Sequence, residues 1–158
     1  LNIAKLLIEN NFGVRFSVIG NGPELENIRN RIEILGLSNH VKIYTNKTNI
    51  YDIYNNIDIF MLTSIVEGFP NALMEAMMFG IPSVVTDVGG NRDIIKDNVN
   101  GFLFTSGVPQ EGYNIISRLI ENREYFKEIS QNAYNTIRNK YHPDKIVSEL
   151  ITKYNEIV

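Results

Sequence analysis

Five short apolar runs alternate with segments of helical periodicity along this chain, and that alternation limits the possible folds more than any other feature. The runs are residues 14–19, Val41–Tyr44, 58–63, 82–86 and 101–104. Between them apolar residues recur at helical spacing. Residues 1–10 carry Ile3, Leu6 and Leu7; Pro23 opens a segment over 24–35 that Gly36 closes; residues 50–56, 71–79 and 91–96 follow. Near-continuous apolar strands separated by helices are the mark of a parallel sheet buried on both faces. Right-handed crossovers then give the expected fold: α/β, a Rossmann-like doubly wound parallel sheet with helices on both faces. From Pro109 onward the chain becomes helical and more polar, with helices predicted over 113–121, Arg123–Lys140 and 144–157. This helical C-terminal tail has amphipathic spacing at Ile146, Leu150, Ile151 and Tyr154.

Size and composition narrow the function. With 158 residues, 44% of them hydrophobic, the chain can bury one good core, so a single domain over 1–158 is expected. Its 15 basic and 18 acidic residues are intermixed, for a net charge of −3, which leaves no basic face to bind nucleic acid. The absence of cysteine excludes a disulfide framework and thiolate metal sites, and His40 and His142 are too distant in sequence to suggest a local metal motif. The longest apolar stretches are strand-sized and no basic segment with an apolar core opens the chain, so a cytoplasmic location is expected. Leu1 opens inside a helix with no cap and no strand before it, which implies a piece of a larger protein, beginning just after a strand and its loop.

The densest chemistry lies in Glu67-Gly68-Phe69-Pro70-Asn71-Ala72-Leu73-Met74-Glu75, two carboxylates with seven residues between them. Residues 72–78 are good helix formers, so a helix should begin near Pro70 or Asn71. The first amides of a helix lack intrahelical partners, and with the positive end of the dipole they suit a phosphate. Carboxylates repel phosphate but accept hydrogen bonds from sugar hydroxyls. A nucleotide sugar therefore fits, with sugar at one glutamate, ribose at the other and diphosphate between. The plainer reading is that the pair is coincidental, with Glu75 solvated and Glu67 merely favoured near a helix N-terminus. Context favours the first reading. Ligands of open parallel sheets bind at the carboxyl ends of strands, and the loops at 20–23, 44–49, 63–71 and 87–92 would emerge there on one rim.

The order of these elements resembles the retaining nucleotide-sugar glycosyltransferases of the GT-B fold, the group-1 or family-4 enzymes that carry a Glu-x7-Glu motif. Matching elements are Gly20-Asn21-Gly22-Pro23-Glu24-Leu25, Val41 with Ile43, residues 51–64, residues 67–76, Gly80-Ile81-Pro82-Ser83-Val84-Val85, Gly89-Gly90 and Asn100-Gly101-Phe102-Leu103. The resemblance implies the C-terminal, donor-binding half of such an enzyme, without the N-terminal half that binds a glycan or lipid acceptor. It implies that Glu67 contacts the donor sugar and supports positive charge at its anomeric carbon, and that Glu75 holds the ribose hydroxyls. Gly68, Phe69, Asn71, Ala72 and Leu73 would bind the donor sugar and diphosphate, with Tyr44, Thr45 and Asn46 lining the base pocket and Gly20, Gly22, Gly89 and Gly90 making loop contacts. The donor would be a UDP-, GDP- or ADP-sugar, with no metal and no other cofactor, and the full protein could associate with a membrane. The family's basic pair that neutralises the diphosphate lies upstream of Leu1, and Lys5 is not equated with either member. The isolated chain should therefore be nearly inert. Asp93 stands where the family commonly has glutamate.

Other readings are weaker on the same residues. The glycine turn lacks the last glycine of a dinucleotide fingerprint, having Leu25 there, and Pro23 intervenes. A nucleotide-sugar epimerase of the same fold, or a noncatalytic nucleotide-sugar-binding module, would use similar donor contacts. Tyr51 and Tyr54 read as a packing edge and Arg92 as a solvated side chain, although a cation in the glycine turn could face a diphosphate.

Overall fold

The computed structural model describes residues 1–45, 49–141 and 143–156. Among these, five strands alternate with helices in the expected order: α1 (Asn2–Glu9), β1 (Phe16–Ile19), α2 (Leu25–Ile34), β2 (Val41–Tyr44), α3 (Ile50–Tyr54), β3 (Phe60–Leu62), α4 (Asn71–Met78), β4 (Ser83–Thr86), α5 (Asn91–Ile94), β5 (Phe102–Phe104), α6 (Pro109–Glu121), α7 (Arg123–Lys140) and α8 (Pro143–Asn155). All pairing between named strands is parallel, as expected, and forms two sheets: β1–β2, and β3–β4–β5. The chain divides into two compact units, one made of Leu1–Asn56 with Gly107–Glu121, the other of Ile57–Ser106 with the residues from Asn122 onward.

In the first unit Phe16 pairs with Val41 and Ile19 with Tyr44. Ala4, Ile32, Leu37 and Val41 form the buried centre, with Phe16, Val18, Ile28 and Ile43 packed around them. Along β1 the side chains alternate, Phe16 and Val18 half-buried, Ser17 and Ile19 exposed, so this strand lacks the continuous burial that its apolar run suggested. Tyr54 is buried, as expected of a packing edge, whereas Tyr51 is exposed.

The second unit carries the fully buried central strand of the chain. Every residue of β4 is buried, and Val84 and Val85 are wholly inaccessible. The core joins Leu73 and Met77 of α4, Val85 of β4, Ile94 and Ile95, and Ala133 and Ile137 of α7, with Phe60, Leu62, Met74 and Leu103 packed against it. Truncating a wholly buried leucine such as Leu73 typically costs about 2–5 kcal/mol, so α4 is held firmly by the face opposite its exposed residues.

Sequence determines both ends of α4. Pro70 stands at the N-cap, where its missing N–H is no loss, and no side chain caps the helix there. At the other end Gly80 takes φ 69°, its N–H bonds Met77 O at 2.9 Å, and Ile81 N–H bonds Ala76 O at 3.0 Å. This pair of bonds is a Schellman motif, which needs a left-handed residue and hence glycine; Pro82 then prevents helix continuation. The observed differences at element ends are small. Helix α6 begins at Pro109, four residues before the expected start at Tyr113, because proline is well tolerated at the first helical position and the buried Gly112 fits inside a packed helix.

Candidate functional site

The loops that follow β3 and β4 in the second unit lie against each other, and the contact is made almost entirely by main chain. Gly90 N–H donates to Glu67 O at 2.9 Å. A Cβ placed on Gly89 would lie 1.9 Å from Glu67 O, and one on Gly90 would lie 2.0 Å from Gly68 O and 3.1 Å from Pro70 Cδ. Only a residue without a side chain allows such an approach, and Gly89 also sits at φ 38°. The Gly89-Gly90 turn thus lies against the loop that bears Glu67.

Side-chain hydrogen bonds fasten the same region. Thr86, buried at the end of β4, donates its hydroxyl to Ser64 O at 2.6 Å. Ser64 Oγ in turn donates to Glu67 Oε2 at 3.0 Å. Asn91 is wholly buried; its Nδ2 donates to Thr86 O at 2.9 Å, while its Oδ1 has no hydrogen-bond partner among the described residues. The glutamate is therefore held through its carbonyl by Gly90 and through its carboxylate by Ser64, and it remains half-buried with access to solvent.

Beyond Glu67 the chain runs through the exposed Gly68 and Phe69 to Pro70 and enters α4 at Asn71, where helix formation was expected. Asn71 and Ala72 are exposed and Leu73 is buried. Glu75, four residues after Asn71, shares its exposed helical face, opposite Leu73, Ala76 and Met77. The second carboxylate thus lies one turn inside a helix whose N-terminus has no side-chain cap and no acidic residue in its first turn. Such an end carries the positive end of a dipole, and the Asn71 N–H there bonds Phe69 O at 3.0 Å. The loop preceding it also exposes Ile65 and Val66 strongly.

Arg92 is turned onto Asp87. Its Nη2 lies 3.2 Å from Asp87 Oδ2 and 3.1 Å from Asp87 O, and its Nε bonds Oδ1. The guanidinium is exposed, as expected of a solvated arginine, and it is also ion-paired, because a carboxylate five residues earlier matches its fork. The hydrogen bond and charge of Arg92 hold the Asp87 carboxyl below its ordinary range. A depressed carboxyl contributes stability above its unfolded-state pKa, and that contribution is lost as pH falls through the folded value. The pair is exposed, so this contribution is small. Asp93 is exposed, and its carbonyl accepts from Tyr141 Oη at 3.3 Å.

The remaining predicted positions lie in the first unit. Gly20 N–H donates to Tyr44 O at 3.1 Å, which sets the glycine turn beside the end of β2. Gly20 and Gly22 are exposed; Tyr44 and Thr45 are half-buried, with Lys42 Nζ 5.0 Å from the Tyr44 ring centroid. Asn46 lies outside the described residues, as does His142. Sequence reasoning assigned no role to Ser64 or Thr86. The signal for Ser64 was its position three residues before Glu67, a spacing at which a hydroxyl reaches back to a neighbouring group. Nothing local marks Thr86, whose partner is 22 residues away. Among the described residues no helix is long and apolar enough to cross a membrane, and no group of three or more His, Cys, Asp or Glu side chains is placed to hold a metal ion.

Known structures share this parallel α/β architecture. The chain superposes with a TM-score of 0.88 on HepE of Anabaena, solved with UDP, at 26% identity, covering 98% of this chain and 44% of that one. It superposes with a TM-score of 0.89 on TarM of Staphylococcus aureus, solved with UDP, α-GlcNAc-glycerol and fondaparinux, at 26% identity, covering 98% of this chain and 31% of that one. In sequence it is 27% identical over 158 residues to the UDP-Gal:α-D-GlcNAc-diphosphoundecaprenol α-1,3-galactosyltransferase of Escherichia coli, covering 98% of this chain and 41% of that protein. The model of the family described as glycosyl transferases group 1 matches residues 1–136, and the chain belongs to that family. It spans about two fifths of the length of the E. coli relative.

Proposed function

We propose that this chain is the donor-binding half of a retaining glycosyltransferase, which moves a hexose-type sugar from a nucleoside diphosphate sugar to a glycan or lipid-linked acceptor in cell-surface polysaccharide or glycolipid synthesis. The observation that carries the reading is the anchored Glu67 carboxylate, placed one loop before the uncapped N-terminus of α4, with Glu75 one turn inside on the exposed face. The relatives support it: HepE and TarM were solved with UDP, and the E. coli enzyme uses UDP-galactose and a diphosphoundecaprenol-linked acceptor.

In the proposed mechanism the bond between the anomeric carbon and the diphosphate oxygen breaks, its electron pair leaves with the diphosphate, and the sugar takes on oxocarbenium character. Glu67 contacts sugar hydroxyls and stabilises that positive charge. The amides of Phe69, Asn71, Ala72 and Leu73 and the α4 dipole stabilise charge developing on the leaving group, which lowers the barrier because this charge is greatest in the transition state. The acceptor hydroxyl then bonds to the anomeric carbon on the face the diphosphate left and passes its proton to the departing diphosphate oxygen. Glu75 receives the ribose hydroxyls. For Tyr44 and Thr45 the proposed role is contact with the nucleobase.

Three assays separate this from its rivals. A labelled nucleotide sugar given to the full-length protein with membranes or glycan extract should yield labelled glycan or glycolipid. Epimerised donor would instead mark an epimerase, and saturable binding without product a noncatalytic module. Glu75→Ala is expected to raise KM for the donor by about tenfold or more while leaving kcat little changed, since it removes hydrogen bonds to a charged group that are present in ground and transition states alike. EDTA is expected to leave turnover intact; inhibition reversed by Mg²⁺ or Mn²⁺ would contradict a leaving group stabilised without a metal ion.

A further inference from the structure

We infer that Ser64 is a positioning residue for Glu67, and that Thr86 sets Ser64 in place; this rests on the proposed role of Glu67 and extends it to residues that do not touch the substrate. Ser64 Oγ has one proton, and the acceptor within reach is Glu67 Oε2 at 3.0 Å. An ionised carboxylate has no proton to give, so the hydroxyl must be the donor. Such a charge-assisted bond selects one rotamer of a side chain whose surroundings are otherwise open loop.

The donor is itself fixed. Thr86 Oγ1 lies 2.6 Å from Ser64 O and 3.4 Å from Leu62 O; with one proton to share, the shorter bond is the effective one. Regular pairing of β3 with β4 ends at Leu62 and Val85. The Thr86 side chain therefore extends the attachment of the two segments two residues past the ladder, to the point from which Ser64 reaches Glu67. Thr86 is fixed from the other side by the buried Asn91, and Glu67 O is held by Gly90 N–H. The carboxylate is thus connected through Ser64 and Thr86 to the most deeply buried strand of the unit. A group that must meet a developing charge gains most from being held in advance.

The test uses the full-length transferase and whichever of UDP-, GDP- and ADP-hexose the wild type turns over, with nucleotide release as the readout. Ser64→Ala is expected to lower kcat by about ten- to a hundredfold, the range for a lost hydrogen bond to a charged group, with KM for the donor and the thermal midpoint nearly unchanged. Ser64→Thr, which keeps the hydroxyl, should recover most of the loss, and Ser64→Ala should cost nothing further in a Glu67→Ala background. A wild-type kcat for Ser64→Ala, no recovery with threonine, or an undiminished effect in the Glu67→Ala background would overturn the inference while a low kcat for Glu67→Ala kept that residue's role. A wild-type kcat for Glu67→Ala itself would overturn both.

Discussion

On the proposed role of Glu67, replacing it with alanine in the full-length protein is expected to lower kcat by roughly a hundred- to a thousandfold, with a much smaller change in KM for the donor; the effect of a single group directed at developing charge sets the scale. The residue is half-buried, its carboxylate is anchored by Ser64, and its carbonyl is bound by Gly90, so substitution removes a prepositioned charge and leaves the loop attached. Interaction with the oxocarbenium-like state is stronger than with the neutral donor, so the loss falls on kcat. Steady-state kinetics of the variant alongside Glu75→Ala check this directly. Equal KM effects with unchanged kcat in both would contradict the division of roles.

The second large effect is on stability. Gly90→Ala is expected to cost on the order of 3 kcal/mol, since the added methyl would lie 2.0 Å from Gly68 O and 3.1 Å from Pro70 Cδ, and main chain on both sides must give way. For a protein of this size the thermal midpoint should fall by roughly 6–12 °C. Gly90 itself has φ −60°, so the cost is steric and not conformational. Gly13→Ala is the matched control: a Cβ there meets nothing within 4 Å, and the midpoint should hardly move. Differential scanning calorimetry of the two variants distinguishes a glycine required by a close loop contact from one that merely joins elements. An equal, small effect at both positions would show that the two loops are not in contact in solution.

Much of this arrangement was legible in the sequence because local chemistry determines it. Gly80-Ile81-Pro82 must end a helix, Pro70-Asn71 must begin one, and the run 82–86 with Val84 and Val85 suits a buried strand; all three are observed where expected. The position of Glu75 on the exposed face of α4 follows from the same register. What the sequence concealed depends on residues far apart along the chain. An apolar run cannot reveal whether both sides are covered, so β1 looked fully buried although Ser17 and Ile19 are exposed. Even the ion pair of Asp87 and Arg92, only five residues apart, depends on how the turn between them closes. The closeness of Gly89-Gly90 to Glu67 and Gly68, and the reach of Thr86 to Ser64, join loops some twenty residues apart and leave no local trace.

The central claim is that the N-terminal end of α4 and its two flanking glutamates hold a nucleoside diphosphate sugar. A crystal structure of the full-length protein with an intact UDP-, GDP- or ADP-hexose tests it most directly. The account predicts the diphosphate at the main-chain amides around Asn71, the Glu67 carboxylate on the hexose hydroxyls and Glu75 on the ribose. A donor bound with its diphosphate away from α4, or with the hexose out of reach of Glu67, would contradict it.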